Sequence, residues 1–550
     1  MENSPKRIVV VGGVAGGMSF ATRYRRLNQD DHIIVIEKGP YVSFANCGLP
    51  YYVSGEIEKR SDLIVAEQSM LQDRFQLDIR VNSEVIEIHP DRKTVSVKWD
   101  GKTEEVSYDS LVLSPGARPV ELEIEGKDNR EGIFTLRNIP DVDKIVEYVD
   151  VKKPESAVVI GAGFIGLEMA ENLKQKGLNV SVVEKAPHVL PPFDEEMAKF
   201  AERELRSNNV KVYTGTSVVR FDGNIAYLEN GTKIDADIVI MSVGVVPETK
   251  MAQEAGIEVG MRQGIKVNDK YQTSIEDIYA VGDAIIVKNV QTGEDTMIPL
   301  ASPANRQGRQ LADILSGKNK INKGSLGTAI VRIFDLTFAS TGLNERQLKD
   351  KEYEVVHLHS NDHAGYFPGA TPIDLKVIFD PKTELILGAQ AVGNKGVDKR
   401  IDILATAIKA GYPVTELQEL ELTYAPPFGS AKDIVNMAGY VAENILDKTT
   451  DTIQWYELEK HQNDGAIVVD VRYKNERDLG YIEGSIHMVL DNLRCEMNAL
   501  PKNKEIIVYC HSAVRSYNAE RILKEGGFNV KNLDGSYALY EVAQAERIVR

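Results

Sequence analysis

The sequence predicts a multidomain α/β chain. Two glycine-rich turns, each between a buried apolar strand and a helix, call for two dinucleotide-binding units. A polar joint at residues 446–455 is followed by a fresh strand–cysteine–helix pattern, so a further small α/β domain lies beyond it. A chain of 550 residues has material for three or four such domains.

The first unit begins at residues 7–11, Arg-Ile-Val-Val-Val, a run suited to a strand buried on both faces. Gly12-Gly13-Val14-Ala15-Gly16-Gly17 follows, then a helical stretch to about Leu27. A second strand at 33–36 ends in Glu37. Glycines at such a turn let a pyrophosphate approach the helix N-terminus, and the acid can accept from a ribose hydroxyl. Val14 stands where the second glycine is expected. The second unit is cleaner. Residues 157–160 form a strand, Gly161-Ala162-Gly163-Phe164-Ile165-Gly166 the turn, and a helix runs to about Lys176. The strand at 180–183 ends in Glu184. Glu184 would repel a 2′-phosphate and so favours NADH, while Lys185 beside it leaves NADPH open. Later, Tyr279-Ala280-Val281-Gly282-Asp283 reads as a strand whose end brings a carboxylate toward a ribityl chain.

Ser43-Phe44-Ala45-Asn46-Cys47-Gly48-Leu49-Pro50 holds a thiol where Gly48 and Pro50 mark a helix start. Amides and the helix dipole there stabilise a thiolate. A free cysteine is also commonly a small apolar core residue. Three cysteines, Cys47, Cys495 and Cys510, cannot be a disulfide framework, and they lie far apart in sequence, which points to a reducing compartment. A net charge of −17 argues against nucleic-acid binding and requires a local basic patch for any anionic substrate. Residues 1–7 carry no apolar signal core. No apolar run approaches the roughly 20 residues of a membrane span. The expectation is a cytoplasmic protein with no membrane partner.

Gly12 to Gly17 with Glu37, Gly161 to Gly166, and Tyr279 to Asp283 together resemble the two-dinucleotide flavoprotein disulfide reductases, over about residues 6–445. The resemblance implies a Rossmann-like FAD domain (1–120 and 250–323), a Rossmann-like NAD(P)H domain (121–249) and an α+β dimerisation domain (324–445) that makes homodimers. It implies FAD contacts at Gly12, Val14, Ala15, Gly16, Gly17, Glu37, Lys38, Ser114, Gly116, Gly282, Asp283 and Tyr424. For NADH or NADPH it implies Gly161, Gly163, Phe164, Ile165, Gly166 and Glu184. Most members carry a Cys-x4-Cys pair, but Tyr52 stands where the second cysteine would lie. The chain therefore resembles the single-cysteine branch of CoA-disulfide reductases, NADH oxidases and NADH peroxidases. There one thiol forms a mixed disulfide with substrate or a sulfenic acid.

From about Gly324 the pattern turns to short strands at 328–334, 353–357, 375–380 and 386–392, with a helix at 399–410. Tyr366 lies in Ala-Gly-Tyr-Phe-Pro-Gly and Tyr424 in Leu-Thr-Tyr-Ala-Pro-Pro-Phe. In CoA-disulfide reductases a matching tyrosine pair reaches the cysteine site from the partner subunit. Their hydroxyls can hydrogen-bond a thiolate or persulfide leaving group, or the two rings only pack. The family's coenzyme A contacts map onto Ser19, Arg23, Arg26, Ser43, Asn46, Asn305 and Lys432. Arg23 and Arg26 share a helix face at i, i+3, and their forks suit phosphate, although a solvated face would look the same.

Beyond the joint, residues 467–472 read as a strand ending in Asp-Val-Arg, and the strand at 505–509 delivers Cys510-His511-Ser512-Ala513-Val514-Arg515 into a helix. With Gly480-Tyr481-Ile482, this resembles a rhodanese α/β domain over 456–550. Amides of residues 511–515, together with Arg515, would lower the Cys510 pKa and stabilise a persulfide. The Cys-x4-Arg loop is one residue shorter than that of cysteine phosphatases, so it suits a sulfur rather than a phosphate. Cys495 is given no chemistry and no metal set is expected.

The whole resembles the CoA-disulfide reductase–rhodanese fusions. That implies reduction of CoA disulfide, CoA persulfide or polysulfide at Cys47, assisted by Tyr366 and Tyr424, with sulfur carried on Cys510. An NADH oxidase or peroxidase cycling through Cys47 sulfenic acid is the rival reading, and the tyrosine pair and rhodanese resemblance argue against it. A sulfur-carrying sensor is a second rival, opposed by three cofactor motifs. The purified protein should show a flavin absorbance spectrum. A colourless protein that FAD fails to reconstitute would defeat the cofactor assignment.

Overall fold

A computed structural model describes residues 4–550; residues 1–3, the start of the polar run before the first strand, lie outside the described residues. The chain divides into two compact units. One runs up to Lys185 and resumes over Asn209–Gly327, and the other comprises Ala186–Asn208 and Thr328–Arg550.

The first unit holds two five-stranded parallel sheets. In one, Arg7–Val11 lies between His32–Ile36 and Ser110–Leu113, with Asp78–Arg80 and Ile278–Ala280 at the edges. In the other, Ser156–Ile160 lies between Asn179–Glu184 and Ile238–Met241, flanked by Lys211–Thr214 and Ile133–Phe134. Val9, Val10, Val158 and Val159 are fully buried, as continuous β-branched runs must be when helices cover both faces. The helix Ala15–Leu27 packs on the helix Ala301–Leu315, and a Cβ added to Gly308 would overlap the Gly16 carbonyl. Each sheet is accompanied by a three-stranded antiparallel meander, Glu84–His89 through Ser107 and Val218–Asp222 through Asp235. The sequence reading missed both meanders because their alternation is broken by bulges at Val85/Glu87 and Val218/Arg220.

The second unit holds a five-stranded antiparallel sheet in the order Ala329–Ile333, Leu336–Gly342, Ile386–Gly393, Pro372–Phe379, Glu354–Asn361. Leu336–Gly342, Leu-Thr-Phe-Ala-Ser-Thr-Gly, is too polar to announce itself as a strand. A parallel sheet follows in the order Thr452–Ile453, Asn529–Leu533, Glu505–Tyr509, Ile467–Asp470, Ile486–His487. Part of the expected 446–455 joint is thus already a strand of this sheet.

The helix Glu195–Ser207 falls inside the span expected for the nucleotide domain yet belongs to the second unit. Charge explains why. Lys376, fully buried on the strand Pro372–Phe379, pairs with Asp194 at 2.8 Å, Glu196 at 2.5 Å and Glu345. The three carboxylates converge as a metal site would, but the ammonium group occupies their centre. His357 adds a second cation. Its Nε2 lies 3.1 Å from Glu196 and its Nδ1 2.6 Å from Asp534. Burial alone would lower the His357 pKa, but Asp534 and Glu196 outweigh it and push it up to about 9. Burial would likewise raise Glu196, yet Lys376 and His357 hold it well below the usual carboxylate range.

A buried cluster of this kind adds little net stability over an apolar core, but removing one member strands the rest. Lys376→Met should destabilise the fold by about 3–5 kcal/mol, read from urea unfolding; unchanged stability would mean the carboxylates are not held by Lys376. His357 has its ordinary value of 6.5 in the unfolded chain and about 9 when folded. Its contribution is therefore complete below pH 6.5 and lost as pH rises through 9. Thermal shift across this range, with His357→Gln as the flat control, checks the sign.

Candidate active site

The two glycine turns are built alike. Gly12 and Gly161 have φ of +97° and +99°, and a Cβ on either would overlap the carbonyl of Ser114 or Ser242. Gly17 and Gly166 pass equally close to the Gly12 and Gly161 carbonyls. At Gly163 the same test meets open space, which is why Val14 fits the corresponding position. Each acid caps its turn. Glu37 accepts from the Gly13 and Gly39 amides at 2.8 Å, and Glu184 from Ala162 at 2.7 Å. Ser114 and Gly116 lie on the loop after Ser110–Leu113, while Lys38 turns to Glu84 at 2.8 Å. Burial pushes the Asp283 carboxyl up to about 6. A helix N-terminus, an acid at the end of the second strand and a partly buried carboxyl suited to hydroxyl donors are a set that fits a flavin dinucleotide. The second turn offers the first two of these to a nicotinamide dinucleotide.

Cys47 sits in a single 3-10 turn, Asn46–Gly48, ahead of the six-residue helix Leu49–Ser54. Ser43 enters this loop at φ +49°, its N–H donating to the Gly13 carbonyl at 2.9 Å and its carbonyl accepting from Val65 at 2.8 Å. Asn46 Nδ2 donates to the Arg137 carbonyl at 3.1 Å. Cys47 is exposed as a residue, yet the protein around it partly desolvates its thiol. The expected thiolate stabilisation is reversed in the chain itself. Burial, then the carboxylates of Glu168 and Asp283, raise the Cys47 pKa above its ordinary value. A helix of under two turns offers too small a dipole to offset two acids. Glu168 comes from the helix Phe164–Gln175 and accepts from Tyr51 Oη at 3.2 Å. Sequence reasoning missed both residues, although Glu168 lies only two positions past the second glycine turn.

The structure gathers part of the expected coenzyme A set. Ser19 Oγ donates to Asn305 Oδ1 at 2.5 Å, across 286 residues of sequence. Arg23 is committed to Asp313 at 2.8 Å, whereas Arg26 is exposed over the Phe75 ring. The two arginines thus differ in availability, which their shared spacing did not reveal. In the second unit Lys432 is exposed. Tyr366 and Tyr424 meet there with their hydroxyls 2.9 Å apart, 76% and 47% exposed. That hydrogen bond raises the Tyr366 pKa. Phe428 and Phe367 extend an exposed aromatic patch around them.

Cys510 ends the strand Glu505–Tyr509 and is only 1% exposed. Ala513, at φ +68°, turns the loop into the helix Val514–Glu525. Arg515 forms a two-pronged pair with Glu476 at 2.6 Å, and the Cys510 sulfur adds to Glu476 in raising the Arg515 pKa. His511 packs edge-on to His359 at 5.2 Å, whose Nδ1 lies 2.9 Å from Asp374. Burial and His359 lower the His511 pKa. Glu476 and His359 carry no sequence signal, because their partners lie far along the chain. Cys495 is exposed, on the short helix Leu493–Glu496.

Three family models match. That of the pyridine nucleotide-disulphide oxidoreductases covers residues 6–308, that of their dimerisation domain 328–434, and the rhodanese-like domain 454–543. The coenzyme A disulfide reductase of Staphylococcus haemolyticus is 38% identical over 443 residues, 80% of this chain and 100% of that protein. The crystal structure of reduced Bacillus anthracis CoADR-RHD is 49% identical, with a TM-score of 0.97 over 99% of both chains. An NAD-dependent persulfide reductase from A. fulgidus is 38% identical, with a TM-score of 0.92 over 97% of this chain and 100% of that one. Among the described residues no helix is long and apolar enough to cross a membrane. The chain belongs to the pyridine nucleotide-disulphide oxidoreductase family, carries that family's dimerisation domain and adds a rhodanese-like domain.

Proposed function

We propose that the chain uses NAD(P)H to reduce CoA disulfide or CoA persulfide at Cys47, and carries sulfane sulfur on Cys510. The observation behind this is one open thiol beside the first glycine turn, without a second cysteine at Tyr52, joined to a second thiol in a Cys-x4-Arg loop. Coenzyme A disulfide reductases matched along their whole length support the first half. The persulfide reductase of A. fulgidus supports the second. Polysulfide is a further acceptor of the same chemistry.

FAD, when bound, would supply two-electron transfer between NAD(P)H and the Cys47 sulfur. Gly12, Val14, Ala15, Gly16, Gly17, Glu37, Ser114, Gly116, Gly282 and Asp283 would hold it, and Glu184 with Gly161, Gly163, Phe164, Ile165 and Gly166 would hold the nicotinamide dinucleotide. Cys47, deprotonated, attacks the disulfide of CoA or the sulfane sulfur of its persulfide. The S–S bond breaks, CoA thiolate leaves, and Cys47 is left in a mixed disulfide or a persulfide. Two electrons then return Cys47 to the thiolate and release the second CoA thiolate or hydrosulfide. In a homodimer, the partner's tyrosine pair supplies a proton to the departing sulfur, and the hydrogen bond between the two hydroxyls aims it. Arg26 meets the CoA phosphates, Ser19 and Asn305 offer hydroxyl and amide, and Arg23 contributes as far as Asp313 releases it. Three free thiols suit the reducing cytoplasm.

Cys47→Ser should keep FAD yet lose at least about a hundredfold in reduction of every sulfur substrate, because an alcohol cannot form the mixed disulfide or persulfide on which the reaction depends. Retained turnover with CoA persulfide would move the chemistry elsewhere. NADH should serve at least as well as NADPH in kcat/KM, since the Glu184 carboxylate would repel a 2′-phosphate. A clear NADPH preference would mean that Lys185 dominates. Cys510→Ser should abolish sulfur transfer from thiosulfate or polysulfide and leave CoA disulfide reduction intact. Loss of both in a folded, flavin-loaded variant would defeat the two-centre scheme.

A further inference from the structure

The turn Asp534-Gly535-Ser536-Tyr537 lies directly behind Cys510. Ser536 Oγ accepts from the Cys510 N–H at 3.1 Å, and the Tyr537 N–H donates to the Cys510 carbonyl at 3.0 Å. The Ala538 N–H donates to the His511 carbonyl at 3.0 Å. Both main-chain polar groups of the sulfur-bearing residue therefore hang from this turn. Its backbone is unrelaxed: Ser536 sits at φ +52°, a left-handed conformation that costs a side-chain-bearing residue on the order of 1 kcal/mol. Such a conformation persists only where the surroundings fix it.

The fixing group comes from outside the rhodanese-like domain. The Asp534 carboxylate accepts from the His357 N–H at 3.1 Å, from its ring Nδ1 at 2.6 Å and from Gln454 Nε2 at 3.2 Å. His357 lies on the strand Glu354–Asn361 of the antiparallel sheet. Its other ring nitrogen faces Glu196 at 3.1 Å, and Lys376 anchors Glu196 at 2.5 Å. His357, Asp534, Glu196 and Lys376 are all buried. A line of charge thus runs from the dimerisation sheet to the back of the Cys510 loop.

We propose that His357 and Asp534 are positioning residues for sulfur transfer at Cys510: their buried pair fixes the 534–537 turn, and the turn fixes the backbone that aims the sulfur. This rests on the reading of Cys510 as the sulfur carrier. In that step the Cys510 thiolate attacks the outer sulfur of a donor, the donor S–S bond breaks, and the donor leaves with the electron pair. No net oxidation occurs, so the protein's part is alignment, where a displacement of about 1 Å lowers a rate by roughly a hundredfold. The ring bridges two carboxylates only when both its nitrogens carry protons. The charged groups facing it are Asp534 and Glu196, with Lys376 behind Glu196 and Glu354 near Asp534.

The test uses the full-length, flavin-loaded protein and its His357→Gln and Asp534→Asn variants. Sulfur transfer from thiosulfate to cyanide is measured beside NADH-dependent reduction of CoA disulfide. The expected result is a fall in sulfur-transfer kcat of roughly ten- to a hundredfold in each variant. KM should change by less than about twofold, and CoA disulfide reduction should hold. Transfer by the unaltered protein should decline as pH rises through about 9, and His357→Gln should lack that decline. Unaltered transfer kinetics and an unaltered pH profile in folded His357→Gln would overturn the proposal. If that variant loses flavin or CoA disulfide reduction, Asp534→Asn decides by the same kinetics. An unaltered protein that transfers no more sulfur than Cys510→Ser would instead defeat the sulfur-carrier reading on which this one rests.

Discussion

The first unit depends on one steric constraint, used twice. At the end of the central strand of each parallel sheet, the chain passes a neighbouring carbonyl so closely that no side chain fits. That approach allows a helix to start directly over the strand, with its free amides facing the crevice beyond the strand ends. The position of Cys47 follows from it, since the loop carrying the thiol is pinned by a hydrogen bond from Ser43 to the Gly13 carbonyl. Glu37 and Glu184 repeat the arrangement, each capping the turn of its own unit.

The second unit is organised by charge rather than by close approach. Lys376 and His357 are two buried cations that can exist only among carboxylates. Their carboxylates come from three stretches distant in sequence, Asp194 with Glu196, then Glu345, then Asp534. The cluster therefore recruits a helix from the middle of the nucleotide-binding span and a turn from the rhodanese-like domain. The contrast with Cys47 is instructive. There burial, and then the carboxylates of Glu168 and Asp283, raise the pKa of a thiol.

What was legible in the sequence was local. The glycine turns, the strands before them and the Cys510 loop could be read because each is a run of adjacent residues with one steric or hydrogen-bonding purpose. The tyrosine pair and the Ser19–Asn305 contact were reached only through resemblance, since nothing in either segment names its partner. Pairs made across the fold were not legible at all. Arg23 looked equivalent to Arg26, yet Asp313, 290 residues later, occupies it. Arg515 looked like a cation for sulfur alone, yet Glu476 shares it. The direction of the Cys47 pKa was missed for the same reason: the dipole is local, whereas the burial and the two acids that raise the pKa come from the fold.

The two thiols of the rhodanese-like domain live in opposite surroundings. Cys495 is exposed, whereas Cys510 shows only 1% of its surface. On the reading of Cys510 as a sulfur carrier, the inner sulfur of a persulfide there is enclosed by protein. Attack on that atom by a thiol as bulky as glutathione is hindered, so what takes the sulfur is selected by its shape as well as by its reactivity.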